Sequence, residues 1–325
     1  MSTALLDIRD LHIGIARRDR NDEIVRGVNI SVRAGEKLGI VGESGSGKTL
    51  TMLAILRLLA SPPLSVLSGS ILLDGENLAR VDQQRLREVR GGEIAMVYQD
   101  PMSSLNPLMH VGKQIEEALR AHGADRQHVD TRTREVLGQV GLADPDRVRR
   151  SYPHQLSGGM IQRVMIAMAL ATSPKVLIAD EPTTALDVTI QRQILELVTA
   201  LQADTGMAVL WVTHDLGVVA SLVDNVAVMY AGRVVEKATT SQLFERPAHP
   251  YTKALLQSLP GRGSQHRSLL HQIGGTPPDP TRLSAGCPFR VRCPYAEEKC
   301  TQLEPELIDR GHGSSAACWK DPSQW

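Results

Sequence analysis

The chain has 325 residues, 42% hydrophobic and 22% charged, enough for two compact units with a buried core and far from the composition of a disordered chain. Lysine plus arginine (36) balances aspartate plus glutamate (36), so no cationic excess is available to neutralise a phosphate backbone, which argues against nucleic acid as a partner. The longest uninterrupted apolar run, 164–171, has eight residues, where a membrane span needs roughly twenty.

The opening Met1-Ser2-Thr3-Ala4 carries neither a positive n-region nor an apolar h-region, and a cytoplasmic compartment is expected. Short strands punctuated by turns are expected at 13–16, 28–32, 37–41, 71–73 ahead of Asp74-Gly75, and 94–98. Residues 48–59 are apolar at helical spacing and stop at Ser61-Pro62-Pro63. Between 111 and 142 the pattern turns to charged, helix-forming sequence broken at Gly123 and Gly141, a helical insert. Apolar runs follow at 176–179, 208–213 and 226–230, separated by helical stretches such as 189–201. Near-continuous apolar strands alternating with helices predict a parallel sheet covered on both faces. Beyond about Phe244 prolines crowd the chain, from Pro247 to Pro294, which marks a separate C-terminal extension with a candidate linker at 261–264.

Gly42-Glu43-Ser44-Gly45-Ser46-Gly47-Lys48-Thr49 matches G-x-x-x-x-G-K-[ST] between an expected strand and an expected helix. There the glycines let backbone N–H groups curl around phosphate oxygens, Lys48 reaches the β and γ phosphates, and Thr49 offers a hydroxyl to Mg²⁺. Val176-Leu177-Ile178-Ala179-Asp180-Glu181 is an apolar strand ending in two carboxylates. Asp180 suits a water-mediated Mg²⁺ contact and Glu181 a general base; the plainer alternative is capping of the next helix. Leu156-Ser157-Gly158-Gly159-Met160 is a second glycine turn opening a second helix, suited to an anion or to ordinary capping.

With Gln99 after a strand, Ala185-Leu186-Asp187 after the carboxylates, and His214 after another strand, these elements in this order resemble the ATP-binding subunits of ABC transporters over about residues 5–245. The resemblance implies an α/β P-loop nucleotide-binding domain: a RecA-like parallel sheet core, an antiparallel β part and a helical insert at about 100–168, with a small C-terminal extension. It implies a domain at 1–245 followed by an extension at 246–325. It implies ATP and Mg²⁺ as ligands, with Gly42, Ser44, Gly45, Ser46, Gly47, Lys48, Thr49 and Asp180 on the nucleotide, and Mg²⁺ held through Thr49, Gln99 and Asp180. Gln99, Glu181 and His214 would serve catalysis. Ser157, Gly158 and Gly159 of the signature, with Asp187 of the D-loop, would close over ATP bound by a second subunit. Met160 and Thr184 depart from the commoner Gln and Ser without removing a phosphate-facing group. The family's usual adenine-stacking aromatic is missing near Ile15, so Ile15 or the Arg17-Arg18 pair is expected to pack on the base instead.

The tail narrows the resemblance. His249-Pro250-Tyr251-Thr252, then Gly286-Cys287-Pro288-Phe289 and Arg292-Cys293-Pro294, with the segment 98–107, are similar to oligopeptide and dipeptide importer ATPases. The implied role is ATP hydrolysis driving peptide import at the cytoplasmic face of the membrane. Implied partners are a homologous ATP-binding subunit rather than an identical one, two membrane-spanning permease subunits and an extracytoplasmic solute-binding protein. Nickel complexes or another small solute are alternatives to peptides. A soluble ABC-type ATPase of DNA repair or translation is the competitor, opposed by the single nucleotide module and zero net charge. Met102, Leu105, Leu108 and Met109 are expected either to form an exposed docking patch for the permease or to be core of the insert. Cys287, Cys293, Cys300 and Cys318 are spaced C-x₅-C-x₆-C-x₁₇-C, without the paired C-x₂-C of zinc ribbons. A [4Fe–4S] cluster is the expectation, with zinc, or with thiols and disulfides, as alternatives. This tail is expected to lie away from the phosphate site.

Overall fold

The computed structural model describes residues 4–17, 21–184, 186–259 and 273–324; the expected linker at 261–264 lies outside them. The chain divides into two compact units. The phosphate-loop unit contains Ala4–Val32, Lys37–Ala79 and Val212 onward, and the insert unit contains Arg33–Glu36 and Arg80–Trp211.

The phosphate-loop unit begins with β1 (Leu6–Ala16) and β2 (Asn21–Val32), paired antiparallel with Leu6 opposite Val32 and Ile13 opposite Val25. A bulge between Ile8 and Leu11 shifts the phase of alternation, so Leu6 and Ile8 and then Leu11 and Ile13 all face inward and are buried. Both strands run longer than their apolar residues suggest, because a ladder carries polar side chains on its other face. Next come β3 (Lys37–Val41), buried at four of five positions, and α1 (Lys48–Ile55). The helix ends before the expected 59 because Arg57 adopts a left-handed conformation, φ 52°. β4 (Leu64–Leu73) and β5 (Glu76–Asn77) complete an antiparallel sheet of order β2-β1-β4-β5.

The insert unit runs through α2 (Gln83–Val89), β6 (Ile94–Val97), α3 (Pro101–Ser104), α4 (Val111–Ala121), α5 (Arg126–Gln139), α6 (Pro145–Arg150) and α7 (Gly158–Leu170). It continues with β7 (Val176–Asp180), α8 (Val188–Thr205) and β8 (Ala208–Thr213), whose last two residues belong to the other unit. β6 and β7 are parallel, with Ile94 opposite Val176, in the order β8-β7-β6. α4 buries Val111, Ile115 and Leu119 at i, i+4 spacing. Gly123 and Gly141 break the insert where expected, both with positive φ, 81° and 74°. The apolar residues of 102–109 divide: Leu105 is 3% exposed and belongs to the core of the insert, whereas Leu108 is 86% exposed. The Met102 side chain lies outside the description.

The phosphate-loop unit resumes with α9 (Leu216–Leu222), β9 (Asn225–Tyr230), β10 (Arg233–Thr239), α10 (Thr240–Glu245), α11 (Pro250–Gln257) and α12 (Glu298–Gln302), then β11 (Ile308–Gly311) and β12 (Ser314–Ala316). β3 pairs parallel with β9, and the strands of this unit follow the order β11-β12-β10-β9-β3. The tail therefore adds two strands beyond β10, through Glu236 opposite Ala316. It also contributes core: Phe289 is 1% exposed and packs edge-on to Tyr230 and Tyr251, with ring centroids 5.3 and 5.5 Å away. Among the described residues no helix is long and apolar enough to cross a membrane.

Glu236 of β10 is fully buried, and its two carboxylate oxygens accept the backbone N–H groups of Ala248 (2.7 Å) and His249 (2.9 Å) just before α11. Burial pushes its pKa up to about 7, while burial pushes His249 down to about 3. The two act in opposite directions on stability. A raised carboxyl pKa makes the fold take up a proton that the unfolded chain has lost, so Glu236 costs stability as pH rises from 4.5 to about 7. A depressed imidazole pKa keeps the folded ring neutral, so His249 adds stability as pH rises through the range from about 3 to 6.5. Glu236→Gln removes only the first. Its stability relative to the parent chain, from urea unfolding, should rise with pH by about 1.4 kcal/mol per unit between 4.5 and 7; parallel curves would remove Glu236 as the titrating group.

Candidate functional site

The loop from Gly42 to Thr49 leaves the end of β3 and enters α1. A Cβ on Gly42 would lie 2.2 Å from the Met229 carbonyl oxygen and 2.8 Å from Ser46 Oγ, so only glycine lets the loop pass this close to β9. Gly47 caps α1 at φ 96° with no side-chain cap, so a glycine at positive φ, not a polar side chain, turns the loop into the helix. Lys48 is 5% exposed and donates from Nζ to the carbonyls of Gly42 (2.7 Å) and Glu43 (3.0 Å). Ser46 Oγ is buried and has no hydrogen-bond partner, an unsatisfied hydroxyl inside the loop. A lysine curled over the loop, an orphan hydroxyl and the N-terminus of α1 fit the polyphosphate of a nucleotide.

In the insert unit, β7 is buried throughout and ends at Asp180, 3% exposed. Glu181 follows with φ 46°, a left-handed conformation costly for a non-glycine residue, and its carboxylate is held. Gln99 Nε2 (3.3 Å) and Thr184 Oγ1 (3.0 Å) both donate to Glu181 Oε2. Two donors on one oxygen fix the carboxylate's orientation, as a base aimed at a water requires. Gln99 and Glu181, distant in sequence, are thus brought together, and Thr184 joins them. Ser157 is exposed and N-caps α7, its Oγ accepting from Met160 N at 3.4 Å. Asp187 N-caps α8, accepting from Ile190 N at 3.0 Å. A Cβ on Gly159 would lie 3.0 Å from Ile190, so the N-termini of these two helices sit against each other and signature and D-loop form one surface. Ala185 lies outside the described residues.

In the phosphate-loop unit, His214 is exposed at the end of β8. Ile15 is half-buried in β1, Arg17 is engaged with Asp22 at 2.7 Å, and Arg18 lies outside the description.

The tail departs from its expected place. Arg292, beside Cys293, makes a two-pronged ion pair with Glu43 inside the phosphate loop, Nη1 to Oε2 at 2.6 Å and Nη2 to Oε1 at 2.8 Å. The Glu43 N–H donates to the Tyr251 hydroxyl at 2.8 Å. Residues some 250 positions apart carry no periodic signal of contact. The only hint in the sequence was a charged residue of each sign in two motifs. The four cysteines are free thiols of intermediate burial. Burial pushes Cys287 up to about 11, and Cys300, Cys293 and Cys318 add to that shift, so the four lie within electrostatic reach of one another. No group of three or more His, Cys, Asp or Glu among the described residues is gathered as a metal site.

Residues 25–184 match the family described as ABC transporter, and residues 235–300 match the oligopeptide/dipeptide transporter C-terminal region. The chain is 49% identical, over 97% of its length and 95% of the relative, to the probable peptide ABC transporter ATP-binding protein y4tR of Sinorhizobium fredii. It is 48% identical to the oligopeptide transport ATP-binding protein OppD of Bacillus subtilis, over 94% of this chain and 86% of that one. It is 47% identical to the dipeptide transport ATP-binding protein DppD of Haemophilus influenzae, over 94% and 92%. Among solved structures it is similar to the ATP-binding cassette MJ0796 in a dimeric post-hydrolysis state bound to ADP and Pi. That match has a TM-score of 0.64 and 27% identity, over 72% of this chain and 98% of that one. A phosphate loop of this build, an oriented carboxylate and these likenesses lead to one conclusion: the chain belongs to the ATP-binding subunits of ABC transporters, with the C-terminal region of the oligopeptide/dipeptide type, and is a transport-coupled ATPase.

Proposed function

We propose that this chain hydrolyses ATP at the cytoplasmic face of the membrane to power the import of peptides. The observation that carries this reading is the union, in one compact unit, of a glycine-built phosphate loop and the 235–300 region of oligopeptide/dipeptide type. Residues 1–245 form the nucleotide-binding domain and 246–325 the extension. Gly42, Ser44, Gly45 and Gly47 present N–H groups to the phosphates, Ser46 offers its orphan hydroxyl, and Lys48 moves its ammonium from the loop carbonyls to the β and γ phosphates. Thr49, Gln99 and Asp180 would be the Mg²⁺ ligands, and the ion would supply charge to offset that developing on the transferred phosphoryl group. Glu181, oriented by Gln99 and Thr184, takes the proton of the attacking water, and His214 contacts the γ-phosphate.

The signature, Ser157, Gly158 and Gly159, lies at an exposed helix N-terminus. It closes over ATP held by a homologous second subunit, with Asp187 of the D-loop beside it. Two permease subunits turn that closure into transport, and an extracytoplasmic binding protein delivers the peptide. In the extension, Cys287, Cys293, Cys300 and Cys318 are the ligands of a [4Fe–4S] cluster. Four partly buried free thiols within electrostatic reach support that ligand set. Burial raises the pKa values of Cys287, Cys293 and Cys318, so metal must displace protons there, and the site gathers only as the metal binds. The cluster would support folding of the tail or subunit docking and need not take part in hydrolysis.

Turnover should fall roughly 10²–10⁴-fold in Glu181→Gln, with labelled-ATP binding retained, whereas Gly42→Ala should lose binding because its Cβ meets the Met229 carbonyl. Comparable modest losses in both variants would sink these roles. Chain purified without oxygen should contain about four irons and lose them in Cys293→Ser. One zinc per chain and no iron would replace the cluster with a zinc site.

A further inference from the structure

Glu43 is where the phosphate loop and the C-terminal tail meet, and it is gripped from three sides. Its carboxylate pairs with Arg292, its N–H donates to Tyr251, and its carbonyl accepts from Lys48 Nζ (3.0 Å) and Ser46 N (3.2 Å). The peptide unit that anchors the phosphate lysine therefore belongs to a residue whose side chain the tail holds. Arg292 is 4% exposed at its side chain and Glu43 24%, so the pair is largely shielded from water and salt. Besides Glu43, Arg292 donates to the Tyr230 hydroxyl (3.3 Å) and to the carbonyls of Gly274 (2.9 Å) and Ile273 (3.5 Å). All five guanidinium N–H groups are thereby used, which leaves none for a phosphate. Arg292 is not a phosphate ligand.

We propose that Arg292, seconded by Tyr251, is a positioning residue for ATP binding: the tail neutralises the one carboxylate inside the phosphate loop and holds its backbone in the shape that receives the polyphosphate. Both parts follow from charge and geometry. An unpaired Glu43 would set a negative charge beside the site of a polyanion. A two-pronged arginine–carboxylate contact also fixes a plane as well as a distance, which a lysine cannot reproduce. The tail thus acts on nucleotide affinity directly, whatever metal its cysteines hold. The proposal rests on Gly42–Thr49 being the phosphate loop.

The test uses the full-length chain, with labelled-ATP binding in Mg²⁺ and ATPase kinetics. Arg292→Ala should raise Kd and KM for ATP roughly 5- to 150-fold with kcat changed far less, and Arg292→Lys should recover only part of the loss. In a Glu43→Gln background the penalty of Arg292→Ala should shrink severalfold, because no unpaired carboxylate is left behind. Tyr251→Phe should weaken binding in the same direction and by less. The proposal is overturned if Arg292→Ala costs the same in both backgrounds, or if it lowers kcat and leaves KM unchanged. Arg292 would then act only through folding of the tail. Should Arg292→Ala fail to fold, Glu43→Gln with the tail intact decides: unchanged ATP affinity together with unchanged sensitivity to Arg292→Lys overturns the proposal. Lys48→Ala in the same assay must abolish binding. If it does not, the loop assignment itself fails, and that result is distinct from failure of the tail contact.

Discussion

A polyanion site made of backbone N–H groups needs a loop that is curled and yet does not collapse. Glycine permits the curl, but it also gives the loop the most freedom to lose on ordering. In this chain the freedom is removed from outside the loop. The Met229 carbonyl backs Gly42, the Gly232 N–H donates to the Ser46 carbonyl at 3.1 Å, and Tyr251 and Arg292 fasten Glu43. Two strands' ends and a distant tail supply the rigidity that the loop's own composition lacks.

The carboxylate that follows β7 shows a related arrangement with strain in place of freedom. Glu181 sits at φ 46° directly after a wholly buried strand, so its backbone has little room to relax. Gln99 and Thr184 hold the side chain by one oxygen, leaving Oε1 outside those two bonds. Nearby in the same unit the caps of α7 and α8 are side-chain caps, Ser157 and Asp187, and the close approach of Gly159 to Ile190 brings them together. Signature and D-loop are neighbours because glycine allows two helix N-termini to touch.

The C-terminal region is small, and packing, a strand ladder and ion pairs tie it to the rest of its unit. Phe289 is buried between Tyr230 and Tyr251, β12 extends the ladder at β10, and Glu304 binds both Arg26 (2.9 Å) and Arg233 (3.2 Å). Glu236 and His249, 13 residues apart, are both buried, the carboxylate accepting two N–H groups and the imidazole kept neutral. Such groups are affordable only where every polar atom of the carboxylate finds a donor.

The parallel strands, the breaks at Gly123 and Gly141, the phosphate loop, the Asp180-Glu181 pair and the glycine turn at Ser157 were all legible in the sequence. Each is a local backbone requirement that particular residue types at fixed spacing satisfy. The resemblance to ABC transporter subunits rested on the same motifs in order. What the sequence could not express was which side chains meet across the chain. Leu105 is core and Leu108 exposed although both are leucines on one short segment, because a segment that is not regular helix has no period to assign its faces. The union of Gln99 and Glu181, the burial of Glu236, and above all the clasp of Arg292 on Glu43 arise between residues separated by 82 to 249 positions or by whole elements. Only the packing of the fold decides those pairs, since charge complementarity names many possible partners and distance selects one.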